Sequence, residues 1–430
     1  MKKMIFSAVL ALCFIGAQAQ ETLRLSLQEC RDMALEASED LQKADNERLK
    51  AEYDKAIAMA ANLPNFSATG LGEYMTDMDM MGMTLQMHGM YMAGITLAQP
   101  IYVGGKIRAA NKLAKIGEEA AGETLRSTRS DVISDADNAY WSYISVLSKI
   151  KMLESIKEQM DTLFSQVGTS LEAGMSTRSD LLRVEANRSD IEYQIQKALN
   201  GANLCRLSLC NVIGADFDTL IEPTDTVITP TLIEYLEVGT TTTRPELRLL
   251  DMQLEAAKYQ VRSTRADFLP QLALSLGYVY YGNMKMITGK GTAEEYSMNM
   301  EDGIGMAMLS LSVPIFHWGE GRKTVKKAKL DVHNAELDLQ KTRRLLDIEE
   351  QQALQNLQDG RRLVQVAELS YAQAEESYRI ENERYLGGMG TLTDFLDAQG
   401  TLMQAESNLI EAQTQMKIYE TEYLRVTDRL

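Results

Sequence analysis

Two textures of apolar and polar residues alternate along this chain. The first is helical. Ile101 to Glu222 and Ile315 to the C-terminus contain no proline and are rich in Ala, Leu, Glu, Gln, Lys and Arg, the good helix formers. Within them Lys106–Leu171 and Glu320–Leu386 run unbroken, and at about 1.5 Å per residue each makes a rod of roughly 100 Å. Their apolar positions are sparse. Such thin stripes suit a wall one helix thick, wet on both sides and touching its neighbours laterally; an isolated coiled coil is the competing reading. Each rod ends in a glycine-bearing break, Gly174 in the first and Gly387, Gly388 and Gly390 in the second, and another helix follows.

The second texture has period two. After Pro270, Leu272, Leu274, Leu276, Tyr278 and Tyr280 alternate with Gln271, Ala273, Ser275 and Gly277. Before Pro314, Ala307, Leu309, Leu311 and Val313 alternate with Met308, Ser310 and Ser312. In the first half, Met83, Leu85, Met87, Tyr91, Ile95 and Leu97 alternate with Thr84, Gln86, His88, Thr96 and Ala98, and Phe66 shares a face with Tyr74. Alternation predicts strands. Each half therefore carries a hairpin of strands about ten residues long, the tilted length that crosses a bilayer in a barrel. Four strands leave unpaired edges in lipid, so the chain is expected to supply part of a barrel shared between copies. Soluble half-buried hairpins are the alternative.

The order of textures repeats. "PIYVGGKIRAANKLAK" at 100 matches "PIFHWGEGRKTVKKAK" at 314 in 7 of 16 positions, and the same offset of 214 aligns "GMSTRSDLL" at 174 with "GMGTLTDFL" at 388. "LQKADNERLKAEY" at 41 aligns with "LRLLDMQLEAAKY" at 247, an offset of 206. A period this long is a duplicated domain, not a solenoid.

Lys2 and Lys3, the apolar run Ile5–Ile15 and Ala17-Gln18-Ala19 read as a cleaved export signal, with the mature chain starting at Gln20. No later stretch is long and apolar enough for a transmembrane helix. The formal charge of −17 argues against nucleic acid as a partner. Cys30, Cys205 and Cys210 are an odd number, which gives no disulfide framework; small buried apolar residues are the expectation. No phosphate loop and no spaced His or Cys cluster occurs, so no enzyme, metal cofactor or other cofactor is expected.

Several segments together resemble the TolC-like outer-membrane factor family: "LSLQECRDMALEASEDLQKA" at Leu25, the strand entries "LPNFSATG" and "FLPQLALSLGY", "QPIYVGGK" with "VPIFHWGEG", and "YLGGMGTLTDFLDAQGTLMQAESNL" at Tyr385. The resemblance covers almost all of the mature chain. It implies an α+β membrane fold, internally duplicated, in which a trimeric 12-stranded outer-membrane β-barrel, 4 strands per chain, continues into a long periplasmic α-helical barrel. On that basis the chain divides into a signal peptide (1–19), an N-terminal periplasmic helix (20–63), a first barrel hairpin (64–102), long helices of the first repeat (103–214), an equatorial linker (215–245), a helix (246–269), a second hairpin (270–316) and long helices of the second repeat (317–430). It implies an outer-membrane location in a Gram-negative bacterium, reaching into the periplasm, and a passive duct for efflux or type I secretion. Its partners would be two further copies, outer-membrane lipid, a periplasmic adaptor (membrane-fusion) protein and an inner-membrane pump of RND or ABC type. The cargo stays open. Alternatives are a dedicated Cu(I)/Ag(I) efflux channel and a periplasmic coiled-coil adaptor.

Two groups of residues are candidate sites. Asp394 and Asp397 lie three apart at the start of the last helix, on one face. A capped, solvated helix start is their bland reading. The resemblance implies that they point into the periplasmic entrance, and that Asp180 bonds Tyr385 in the closed state. It also implies an intersubunit arginine in some members, where this chain has Gly390. The second group is the stretch "MTDMDMMGMTLQMHGMYM" at 75–92, with 8 methionines, and 6 more between Met284 and Met308. Thioethers suit Cu(I), which makes Met90, Met92 and His88 candidate ligands. Simple alternation places Met83 and Met87 towards lipid and Met90 and Met92 towards the lumen, so a dispersed, structural role is favoured. Met78 to Gly82 is expected at the hairpin tip, and the loop near Gly289–Glu301 outside the cell.

Overall fold

The structure, a computed structural model, describes residues 22–81, 83–225, 228–229, 231, 243–288, 290–291 and 293–430. The signal peptide and much of the 215–245 linker lie outside them. The chain order is β1 (Thr22–Leu25), α1 (Leu27–Ala37), α2 (Glu39–Ala60), β2 (Asn65–Met80), β3 (Met83–Val103), α3 (Lys106–Glu172), α4 (Arg178–Ile213), β4 (Leu220–Pro223), α5 (Pro245–Ala266), β5 (Gln271–Thr288), β6 (Tyr296–Ser312), α6 (Glu320–Leu386) and α7 (Leu392–Val426). The duplication reaches the helix ends. Both α3 and α6 have 67 residues, and both α2 and α5 have 22, with starts and ends displaced by the two sequence offsets. Among the described residues no helix is long and apolar enough to cross a membrane.

Packing divides the chain into two units. One comprises Met1–Asp45, Thr124–Pro245 and Arg343–Leu430. Its N-terminal part is not one helix, as the sequence suggested, but a strand and two helices. The break falls at Ser38, whose ψ of 116° leaves the helical region and whose Oγ accepts the Leu41 N–H at 3.2 Å. Strand β1 pairs in parallel with β4. Beneath them Tyr140, fully buried, donates its hydroxyl to the Leu25 carbonyl at 3.1 Å and to Asp225 at 2.7 Å. Cys30 and Cys210 are buried in the same core and Cys205 packs half-buried against it; all three are free. Burial pushes the Cys30 thiol up to about 12.

The other unit comprises Asn46–Glu123 and Glu246–Thr342 and holds an antiparallel sheet in the order β2-β3-β5-β6. Its strands have 16, 21, 18 and 17 residues, well beyond the ten expected. Irregularities at Glu73/Tyr74, Gln86/Tyr91 and Tyr281/Met284 explain the difference, because each disturbs the alternation midway along a strand that nevertheless stays paired. The second hairpin's connection is correspondingly shorter than expected, since Tyr296–Glu301 already belongs to β6.

Candidate functional site

Register assigns the faces of the sheet, because residues directly opposite one another project the same way. Between the helix-linked ends and the irregular level, one face carries the rows Phe66–Leu97–Leu276–Ala307, Ala68–Ile95–Tyr278–Gly305 and Gly70–Ala93–Tyr280–Gly303. These rows are apolar or small, and Tyr91 and Tyr280 lie near their upper edge with ring centroids 6.2 Å apart. The opposite face carries Asn65–Ala98–Ser275–Met308 and Ser67–Thr96–Gly277–Met306. An apolar outer face, a tyrosine rim and a more polar inner face are the pattern of a lipid-embedded barrel wall.

The register also corrects the placement of the methionines. Met90 opposes Glu73, but His88 opposes Tyr74, the next residue of β2; one extra residue, Gly89 (φ 77°), lies between. His88 therefore shares a face with Tyr74, on which its ring stacks at 5.2 Å, and its Nε2 lies 2.8 Å from Asp77. Met90 and Met92 lie on the other face. Met87 opposes Met75, two residues from Glu73, so Met87, and with it Met83, lies on the inner face with Met90 and Met92 rather than towards lipid. His88, Met90 and Met92 thus do not converge. Among the described residues no group of three or more His, Cys, Asp or Glu could hold a metal ion.

The two helix breaks share one construction. Gly174 and Gly388 have φ of 76° and 70°, the left-handed conformation that favours glycine. At the first, Met175 N–H reaches Ser170 O at 2.8 Å and Gly174 N–H reaches Leu171 O at 3.0 Å; at the second, Met389 N–H reaches Arg384 O at 2.8 Å and Gly388 N–H reaches Tyr385 O at 3.0 Å. This pair of bonds satisfies the last helical carbonyls. A threonine then starts the next helix: Thr177 Oγ1 accepts the Asp180 N–H, and Thr391 Oγ1 the Asp394 N–H, both at 3.1 Å. The threonine hydroxyls donate in return to Asp180 at 2.7 Å and to Asp394 at 2.8 Å.

These bonds decide what each carboxylate is free to do. Asp180 also accepts the Thr177 N–H at 3.1 Å and the Ser176 hydroxyl at 3.4 Å. The Thr177 hydroxyl, and then its N–H, hold the Asp180 carboxyl below its ordinary value. Tyr385 is close enough to feel that charge: burial first, and Asp180 second, raise its phenol. No hydrogen bond joins the two among the described residues. Asp394 and Asp397 are exposed on one side of α7; Asp394 is tied to its cap, and Asp397 accepts the Thr401 hydroxyl only at its backbone carbonyl, at 2.8 Å. At Gly390 an added Cβ would sit 3.1 Å from the Tyr385 nitrogen, so a side chain there is crowded by the break itself.

Sequence reasoning missed two further parts of this end of the helices. Phe395, 4% exposed, packs against Tyr378 and Tyr385 with centroids 5.5 Å away in each case, among Met160, Leu163, Val184 and Leu392. Arg183 of α4 donates to Thr393 Oγ1 of α7 at 2.6 Å. The repeat alignment, which sets Phe395 against Leu181, was the available sign of an apolar anchor.

A duplicated chain with a four-stranded, lipid-patterned sheet and two 67-residue helices is a subunit of an outer-membrane channel. The chain belongs to the outer membrane efflux protein family, whose model matches residues 30–215 and 240–423. It is similar to the outer membrane protein OprJ of Pseudomonas aeruginosa, 22% identical over 404 residues covering 90% of this chain and 80% of OprJ. It is similar also to the alkaline protease secretion protein AprF of the same organism, 23% identical over 427 residues covering 93% and 83%. Among solved structures, CusC superposes with a TM-score of 0.80 at 15% identity, covering 96% of this chain and 95% of CusC. VceC of Vibrio cholerae gives 0.77 at 18%, covering 93% and 95%. These likenesses establish the fold, and family membership places the chain in the outer membrane as an efflux channel.

Proposed function

We propose that three copies of this chain close a barrel through which cargo leaves the cell, with the long helices continuing the duct into the periplasm. The observation that carries this is the sheet. Among the described residues its edge strands β2 and β6 pair on one side only, and its outer face is apolar. Open edges are untenable in lipid, and closure with further copies removes them. Relatives named as components of efflux pumps and protease secretion support a duct that works with an inner-membrane pump, of RND or ABC type, through a periplasmic adaptor. The relatives include ArpC of Pseudomonas putida, an antibiotic efflux pump outer membrane protein, and the alkaline protease secretion protein AprF, and cargo is left open between them.

In this reading the entrance lies at the paired helix breaks. Asp394 and Asp397 of each copy ring the constriction and attract cations, while Phe395 with Tyr378 and Tyr385 holds the helix start rigid. Because the Asp394 carboxylate also accepts the hydroxyl of Thr391, the residue that caps α7, alanine there removes the charge and that bond together. Asn keeps an acceptor for the Thr391 hydroxyl and removes only charge. The purified protein in detergent should have three times the protomer mass. In planar bilayers, Asp394→Asn with Asp397→Asn should abolish cation selectivity and block by polyvalent cations. A monomer that retains its full sheet, or a double variant with unchanged selectivity and block, would overturn the corresponding part of this reading.

A further inference from the structure

The methionines at the turn end of the sheet do more than fill space. Above the irregular level the two faces exchange character. The outer face, apolar below, now carries Gln86–Lys285–Asn299 and Thr84–Ile287–Ser297. The inner face, which below mixes polar rows such as Ser67–Thr96–Gly277–Met306 with apolar ones such as Thr69–Gly94–Val279–Ile304, carries here the row Met78–Leu85–Met286–Met298. Next to it Met75 opposes Met87 on one hairpin and Met284 opposes Met300 on the other. The outer wall is thus wetted at this height, so these methionines are not there to meet lipid. Directly opposed side chains have Cβ atoms about 5 Å apart, and the flexible methionine chain brings two sulfurs together from that distance. Glu73, opposite Met90, and Asp302, opposite Tyr281, lie next below on the same face and supply the negative charge that neutral thioethers lack.

We propose that this inner face, at the turn end of the barrel, is a thioether site for soft monovalent cations, Ag(I) and Cu(I), met by cargo on its way out. Thioethers favour soft ions over Mg²⁺, Ca²⁺ or Zn²⁺, which prefer oxygen or nitrogen. The inference rests on the channel reading above, since the site lies inside only if the sheet closes. The alternative use of the same residues is apolar packing that narrows the mouth. Leucine separates the two, because it keeps volume and apolarity and removes the sulfur.

The probe is Ag(I), added as nitrate in chloride-free buffer to the purified full-length channel in detergent, with bound silver measured after gel filtration. Met284→Leu/Met286→Leu/Met298→Leu/Met300→Leu should weaken silver retention at least about tenfold while conductance in planar bilayers stays that of the wild type. Met75→Leu with Met87→Leu, on the other hairpin, should weaken it in the same direction and serves if the fourfold variant does not assemble. All forms carry Cys30→Ala, Cys205→Ala and Cys210→Ala, because free thiols would retain silver more tightly than thioethers. Equal silver retention by wild type and both variants overturns the site. A wild-type protein that conducts but retains no silver also overturns it and leaves the channel standing, whereas a wild type that neither trimerises nor conducts overturns the channel reading itself.

Discussion

Asp137 is the place to break the first unit by one substitution. Its side chain is 1% exposed and accepts three short bonds: Arg31 Nε and Nη2 at 2.6 Å each, and the Thr421 hydroxyl at 2.6 Å. Arg31 lies on α1 and Thr421 on α7, so one carboxylate fastens the N-terminal segment to two helices more than a hundred residues away in sequence. The hydrogen bond to Asp137 is the main cause that raises the Arg31 guanidinium. Asp137→Ala strands a guanidinium that is only 25% exposed, together with a buried hydroxyl. Removing one partner of a buried pair costs about 3–5 kcal/mol; because Arg31 retains some water, the lower end applies, about 3 kcal/mol. At about 1.4 kcal/mol per decade this raises the open population of the segment 22–37 by roughly two orders of magnitude. Hydrogen exchange followed by mass spectrometry on peptides from that segment reads this directly. Arg31→Met with Asp137→Leu, which removes both charges, should restore most of the protection. Unchanged protection in Asp137→Ala, or a double variant as labile as the single one, would show that the pair does not hold the segment.

Three further outcomes are expected. Glu406 of α7 has its carboxyl raised above the ordinary value, by burial first and by Glu375 second. An acid with a raised folded pKa binds more protons folded than unfolded, so its contribution to stability falls as pH climbs from about 4.5 through the raised value. Glu406→Gln should therefore raise the melting temperature more at pH 7.5 than at pH 5, and an equal shift at both would refute the assignment. At Gly388 an added Cβ meets nothing within 4 Å, whereas at Gly104 (φ 64°) it would meet the Ala266 carbonyl oxygen at 2.6 Å. Gly388→Ala should cost only the left-handed strain, about 1–2 kcal/mol, and still assemble, while Gly104→Ala should cut trimer yield sharply; the reverse order in detergent extracts would contradict both placements. An epitope tag in the 289–295 connection should be reached by antibody on intact cells, and detection only after the outer membrane is permeabilised would reverse the topology.

The helical framework was legible because its punctuation is local. Prolines and glycines mark where rods start and stop, and the Glu320–Leu386 helix has the bounds that its uninterrupted composition predicts. The duplication sharpened this, since two copies of each boundary had to agree. The faces of the upper sheet were not legible. A single extra residue at Gly89 turns every residue beyond it to the other face, and nothing in composition distinguishes that glycine from one in a regular strand. The long-range ties were equally hidden. β1 finds β4 about two hundred residues away, and Arg31 finds Asp137 across 106 residues, through a topology that no short window contains. At the second helix break, the sequence placed Asp394 and Asp397 on one face of a helix start but could not show that Asp394 also bonds the capping Thr391.

The repeat itself shows how the two halves diverged at the helix breaks. The caps are duplicated, Thr177 with Asp180 and Thr391 with Asp394, but the next position on the same face is not: the counterpart of Asp397 is Arg183. One half thus carries an exposed carboxylate, and the other a guanidinium that reaches across to Thr393, two residues into the helix that bears the acids. In the proposed reading, similar scaffolds with opposite charges would give one helix start the work of attracting cations and the other the work of holding it in place. Since the Arg183–Thr393 bond is exposed, its loss should change global stability little, and Arg183→Ala should melt close to the wild type. If the bond restrains the start of α7, the same variant should raise single-channel conductance while Asp394 and Asp397 preserve cation selectivity. Arg183→Lys should give an intermediate conductance, because an ammonium can still donate to the Thr393 hydroxyl but from a shorter, more strongly hydrated side chain. Unchanged conductance in Arg183→Ala would mean that α7 is held by Phe395 and its tyrosines alone.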